Sequence, residues 1–347
     1  MPSNPSTDQA IAVVTGAASG IGRATAELLA RAGHTVWAVD VDAAGLESLG
    51  RDFPATVRPA VVDVADWADV ERFAAGVLSA VGTPRFLVCA AGINPSAATT
   101  GDIDEALWDR VVDVNLKGMF ALCRAFLPAM AARRDGSVVN LASVSGLVGW
   151  GGSSVYCATK GAAIALTRAL ATEYAPHGIR VNCVCPGSIR TPMVLNNLAA
   201  FPDAAERLAR TAAQHPLGRV GEAEEVAQTI RYLLSDAASF ITGVALFNDN
   251  RFGRPMMIKP AGRGGHREGG LAWRPRGGRD EERCGGRTVY EGTQQGPYPG
   301  AGRGGGGHEC PCRAPLRATP AISQSGEAAA YAPDPAQSVR RRLALDR

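Results

Sequence analysis

A glycine-rich turn between a strand and a helix limits the fold of this chain more than any other feature. Ile11 to Thr15 is a short apolar run of strand type, and Thr15–Gly22 reads TGAASGIG. A helical pattern, ATAELLARA, follows and stops at Gly33. In that setting the glycines have separate tasks. Gly16 permits a tight turn, Gly20 lets the backbone approach a phosphate, and Gly22 lets the helix pack closely on the strand. The helix N-terminus around Ser19 and Ile21 offers open N–H groups and a positive dipole end to a pyrophosphate. A plain loop is the alternative, and the flanking strand and helix argue against it.

Strand and helix signals then alternate. Thr35 to Val39 reads as a strand ending at Asp40. A carboxylate roughly 20 residues beyond such a turn hydrogen-bonds the adenosine ribose and repels a 2′-phosphate. No basic residue stands at the two nearby positions, Ser19 and Val41, so NAD is expected over NADP. A solvated turn aspartate is the plainer reading of Asp40. Val57 to Val62 is a third strand ending in Asp63-Val64, and Asp66 is placed to cap a helix from Trp67 to Val81. Phe86 to Cys89 is a fourth strand, closing in Ala90-Ala91-Gly92, where small residues admit a ring or serve only packing. Asp104 to Ala132 reads as one long helix in which Asn115 interrupts the apolar pattern, a position usually at the surface. Val138 to Ala142 is a fifth strand, Ser153 to Ala175 a helix, and Ile179 to Cys185 a sixth strand broken by Pro186-Gly187. Ser188 to Pro216 is a long segment of the kind that forms lids or binding surfaces. Glu222 to Ser235 is a helix and Gly243 to Phe247 the last strand. This order implies a doubly wound, Rossmann-type parallel sheet with helices on both faces over residues 1–250. Ligands bind beyond the carboxyl ends of such strands.

Ser143, at the end of the fifth strand, precedes Tyr156 and Lys160 in SVSGLVGWGGSSVYCATK. Residues four apart on a helix share a face, so the tyrosine and lysine can enter one cleft. A free phenol with a pKa near ~10 is a poor base at neutral pH. A neighbouring ammonium is expected to lower that pKa, which makes the pair a candidate general acid/base with Ser143 beside it. The same spacing is common on ordinary helices; its place at the sheet edge with the glycine turn favours catalysis.

These motifs resemble the short-chain dehydrogenase/reductase family over about residues 9–249. The match includes Thr15–Gly22, Asp63-Val64, Ala90–Gly92, VNLKG at Val114–Gly118, Ser143, Tyr156–Lys160, Asn182–Thr191 and Pro216–Ala227. The resemblance implies a catalytic tetrad of Asn115, Ser143, Tyr156 and Lys160. In it the tyrosine exchanges the substrate proton, the lysine tunes it and holds the nicotinamide ribose, and the serine orients the substrate oxygen. Asn115 sits at a helix irregularity and supports a water relay to bulk. It also implies cofactor contacts from Gly16, Ser19, Gly20, Ile21, Gly22, Asp40, Asp63, Val64, Ala91, Gly92, Tyr156, Lys160, Pro186, Gly187, Ile189 and Thr191. Two departures stand out. Cys89-Ala90-Ala91-Gly92 replaces the usual Asn-Asn-Ala-Gly, removing an asparagine that ties strands together. Asp249 is followed by Asn250 and Arg251 where the family has two glycines.

The resemblance stops there. Residues 1–250 hold 19 Lys and Arg against 24 Asp and Glu, whereas 251–347 hold 17 against 9. The second segment is rich in Gly, Arg and Pro and lacks apolar periodicity, so it is read as a disordered tail. An out-of-frame reading of GC-rich codons would have the same composition. Cys310-Pro-Cys312 is too isolated for a metal site, and none is expected. Cys89, Cys183 and Cys185 are expected to be reduced core residues. No apolar run reaches the ~18 residues of a membrane span, and no signal peptide is evident, so a cytoplasmic location is the default expectation.

The leading reading is an NAD-dependent oxidoreductase interconverting a small-molecule secondary alcohol and a ketone, assembled as a homodimer or homotetramer. The competing readings are an NADPH-dependent 3-oxoacyl-carrier-protein reductase and a non-enzymatic cofactor sensor or RNA binder using the Arg/Gly tail. Nucleic acid is the least favoured partner. Val144 to Ser154 and Ser188 to Pro216 are expected to line the substrate site, with Trp150 as an apolar wall.

Overall fold

The computed structural model describes residues 9–95, 99–199 and 201–248. The expectations for the N-terminal eight residues and for 251–347, including the disordered tail, lie outside the described residues.

The elements run in chain order as β1 (Ile11–Thr15), α1 (Gly20–Arg31), β2 (Thr35–Asp40), α2 (Ala43–Asp52), β3 (Val57–Val61) and α3 (Trp67–Val81). Next come β4 (Phe86–Cys89), α4 (Glu105–Val112), α5 (Gly118–Arg133), β5 (Gly136–Leu141), α6 (Ser154–Tyr174) and β6 (Ile179–Pro186). The last are β7 (Ile189–Arg190), α7 (Pro192–Ala199), α8 (Ala204–Ala213), β8 (Gly221–Glu222), α9 (Ala223–Leu234) and β9 (Ala245–Asn248). Seven strands form one sheet in the order β3-β2-β1-β4-β5-β6-β9. Every neighbouring pair in it is parallel. The order reverses between β1 and β4, and a crevice opens there beyond the strand ends.

The inner strands are buried on both faces, as a parallel sheet requires, while the edge strand β3 is largely exposed. Alternate residues go to opposite sides. Val13, Val39, Leu87, Val138 and Val181 pack with α3, α5 and α6. Ala12, Val14, Val36, Val88 and Val139 pack with α1, α2 and α9. Leu29, Leu46, Leu49, Ile230 and Leu233 are almost fully buried, and burying one such side chain stabilises the fold by roughly 1.5–3 kcal/mol. Asp66 caps α3 as expected, accepting from the N–H groups of Ala68 and Asp69. Cys89, Cys183 and Cys185 are buried free thiols, also as expected.

Two expectations need correction. Asp104 to Ala132 is not one regular helix: a π-helical turn over Asp113–Lys117 joins α4 to α5, with the Gly118 N–H bonding the Asp113 carbonyl. Ser188 to Pro216 is not an irregular segment, because it holds β7, α7 and α8. Helix α8 is missing from the expectations above although it was legible, since Ala204, Ala205, Leu208, Ala209, Ala212 and Ala213 recur at helical spacing. No helix among the described residues is long and apolar enough to cross a membrane.

Candidate active site

The β1–α1 turn forms a cradle at the switch point. Gly16 adopts φ +68°, and an added Cβ would sit 2.9 Å from both the Ala90 carbonyl oxygen and the Ala91 nitrogen. A Cβ on Gly22 would collide with the Gly16 carbonyl oxygen, so α1 can approach β1 only with glycine there. No side chain caps α1, and no acidic residue occupies its first turn. Its leading N–H groups therefore keep their hydrogen-bonding capacity and their positive dipole end. Gly16, Ser19, Gly20, Ile21 and Gly22 line a cavity of about 280 Å³. Ala91, Gly92, Pro186, Gly187, Ile189 and Thr191 line its other walls. Thr15 ties β1 to the end of β4, its Oγ1 accepting from the N–H groups of Ala90 and Ala91, each at 3.1 Å.

Asp40 lies at the rim, at the end of β2, and its carboxylate is held by backbone. Oδ2 accepts from the Ala18 N–H at 3.1 Å, and Oδ1 from Val41 at 2.8 Å and Asp42 at 3.1 Å. Asp63 and Val64 line the same cavity. The Asp63 carboxylate accepts from the Ala65 N–H at 3.0 Å and pairs with Arg110 at 3.3 Å, a cavity residue that sequence reasoning missed. An open helix N-terminus, a cradle that a Cβ would fill and a fixed carboxylate are what a dinucleotide requires. The residues present fit one.

Ser143, Tyr156 and Lys160 face the inner end of this cavity. Ser143 leaves β5 with extended backbone, and its Oγ accepts from the Ser145 N–H at 3.1 Å. The Ser143 hydroxyl is close enough to the Tyr156 hydroxyl to favour its ionised form. Lys160 is only 2% exposed, donates to the Leu141 carbonyl at 2.7 Å, and lies 5.5 Å from the Tyr156 ring centre. Burial pulls the Lys160 ammonium down to about 8, against the raising influence of Cys185 and Cys183. The expectation that Lys160 lowers the tyrosine's pKa is not met in this state. Burial pushes the Tyr156 phenol up to about 12, and the nearby Ser143 hydroxyl only opposes that rise.

Asn115 also departs from the surface position its spacing suggested, because it is fully buried. The π-helical turn swings it inward. Its Oδ1 accepts from the Ile93 N–H at 2.8 Å, and its Nδ2 donates to the Ile93 carbonyl at 2.9 Å and to Thr159 Oγ1 at 3.2 Å. A Cβ added to Gly92 would lie 3.3 Å from Asn115 Oδ1 and 3.5 Å from Lys160 Nζ, so the two polar groups converge beside that glycine.

A second cavity of about 400 Å³ shares Ser143, Tyr156, Gly187, Met193 and Val194 with the first. Trp150 lines it, as do Val144, Ser145 and Ser153 from the β5–α6 connection. Residues of α7 and α8 form much of the rest, in keeping with the expected substrate walls. Arg207 and Arg210 fall within the stretch expected to line it, whereas Asn94 also lines it and had no signal in the sequence, since only tertiary folding brings it there.

The family model described as enoyl-(acyl carrier protein) reductase matches residues 16–250. The 3-oxoacyl-(acyl-carrier-protein) reductase of Thermotoga maritima is 40% identical over 236 residues, covering 67% of this chain and 93% of that protein. Cyclohexanol dehydrogenase of an Acinetobacter species is also 40% identical over 236 residues, covering 67% of this chain and 90% of its own length. A solved structure of levodione reductase superposes with a TM-score of 0.67 at 36% identity, covering 69% of this chain and 96% of that one.

Proposed function

The chain belongs to the short-chain dehydrogenase/reductase family, oxidoreductases that act on CH–OH groups with NAD(P), and we propose that it interconverts a secondary alcohol and a ketone with NAD. The observation that carries the proposal is the convergence of Ser143, Tyr156 and Lys160 where the glycine cradle's cavity meets the second cavity. The nicotinamide supplies or accepts the hydride and, when oxidised, brings a positive charge to the same cavity.

The remaining work falls to side chains. Tyr156 takes the hydroxyl proton in oxidation and returns it in reduction. With its pKa near 12 in the free protein, it is poised as the acid. A cation bound nearby would favour the phenolate and so the role of Tyr156 as base. Ser143 already accepts the Ser145 N–H, so its own proton is free to turn toward the substrate oxygen. Lys160, anchored on the Leu141 carbonyl and pulled down to about 8 by burial, can pass a proton. Asn115 holds the backbone of Ile93 against α6 and flanks a water relay from Lys160 to solvent.

Asp40 supports NAD over NADP. A phosphate charge about 4 Å from a carboxylate costs roughly 1–4 kcal/mol at the dielectric constants of a protein surface. A 3-oxoacyl-carrier-protein reductase using NADPH is the second reading, favoured by the 40% identity to the Thermotoga protein. We further propose a homo-oligomer working in the cytoplasm; the free buried thiols accord with a reducing compartment. The test is a panel of cyclic and linear secondary alcohols with NAD and with NADP, followed by absorbance of the reduced cofactor. Turnover with NAD at a kcat/KM at least about tenfold above NADP is expected. Turnover of carrier-bound 3-oxoacyl thioesters with NADPH alone would overturn the reading.

A further inference from the structure

The second cavity has an uneven charge. Among the described residues lining it there is no carboxylate and no lysine, and its only charged side chains are Arg207 and Arg210. Both come from α8. Arg207, Arg210, Thr211 and Gln214 follow the spacing of one helix face, and all four line the cavity. Another wall carries Ser143 and Tyr156.

The guanidiniums are held rather than loose. Asp203 precedes α8 and bridges them: Oδ1 takes Arg207 Nε at 2.7 Å, and Oδ2 takes Arg210 Nη2 at 2.8 Å. The Arg207 guanidinium also lies 3.8 Å from the centre of the Phe201 ring. Neither Asp203 nor Glu206, which is 3.8 Å from Arg210, lines the cavity. Asp203 thus holds both guanidiniums, and Glu206 is a second, longer partner of Arg210 alone. The terminal nitrogens of Arg207 make no other hydrogen bond among the described residues. Planar guanidinium forks held this way suit an oxyanion, which they bind through paired charge-assisted hydrogen bonds. The wall between is apolar, with Val144, Met193 and Leu198.

We propose that the substrate is a short secondary alcohol or ketone with an apolar body and an anionic oxyacid group, and that Arg207 and Arg210 bind that group. This rests on the proposed dehydrogenase reading, and it makes α8 the element that selects the substrate.

The test compares hydroxycyclohexanecarboxylate, its methyl ester and hydroxycyclohexyl phosphate as substrates of the full chain with NAD. The acid is expected to exceed the ester by about 10- to 100-fold in kcat/KM, mostly through KM. The phosphate arm tells a carboxylate site from a phosphate site. In Arg207→Gln and Arg210→Gln the acid-to-ester ratio should collapse toward one, and the lysine variants should restore part of it. Binding is read separately, as the thermal shift that cyclohexanecarboxylate and its methyl ester give to the NAD-saturated protein. A shift with the acid that is lost in the glutamine variants, without turnover of any alcohol, supports the anion site and refutes the dehydrogenase reading. Turnover of uncharged alcohols with equal kcat/KM for acid and ester overturns the anion site and leaves the dehydrogenase reading standing.

Discussion

Lys160 and Tyr156 show that a motif's spacing and its electrostatics are separate matters. The spacing placed both on one face of α6, but burial decides their proton affinities in the free protein. Lys160 therefore offers a stability test that needs no substrate. Its folded pKa, about 8, lies below the unfolded value of 10.5, so the native state holds fewer protons between those limits. Wild-type stability from this group is lowest below pH 8 and rises with pH toward 10.5. Lys160→Met lacks that slope. The stability of wild type relative to the variant should rise by about 1–3 kcal/mol between pH 8 and pH 10, read from urea unfolding at each pH. A difference that stays flat or falls over that range would mean that the ammonium is not desolvated.

At the scale of elements, the end of β2 carries a prediction about cofactor choice. Three backbone N–H groups fix the Asp40 carboxylate, so its charge cannot swing away from a 2′-phosphate. Asp40→Ala should raise kcat/KM with NADP relative to NAD by about tenfold or more, while a variant with an unchanged ratio would remove Asp40 from cofactor selection. The strands and most helices were legible because their signals are local. Apolar runs ended at glycine, and Asp66 stood where α3 begins. The strand ends bearing Gly16, Asp40, Ala91, Ser143 and Gly187 followed from alternation alone. Helix α2 went unread because Leu46 and Leu49 are its only buried residues and two glycines interrupt it. The inward turn of Asn115 was invisible to spacing, since a π-helical turn shifts the face that a 3.6-residue period assigns. The Leu141 carbonyl that anchors Lys160 could not be read either, because it depends on a contact between distant elements.

At the scale of the whole molecule, residues 9–248 hold a complete sheet with two apolar layers. A chain ended at Asn250 should unfold cooperatively and bind NAD as the full chain does; loss of the cooperative transition would show that 251–347 is required. Phe240 is fully exposed, Leu217 largely so and Tyr232 about half, on the described surface. Light scattering is expected to give a dimer or tetramer for either length, and a monomer at micromolar concentration would contradict that. The central claim is that one cleft binds the cofactor through the β1–α1 cradle and moves the proton through Tyr156, so the two functions should separate in Tyr156→Phe. The measurement is NAD affinity alongside kcat for a secondary alcohol that the wild type oxidises. The variant should bind NAD within a few-fold of wild type while kcat falls by about 10²–10⁴. A variant that turns over within a few-fold of wild type would contradict the account.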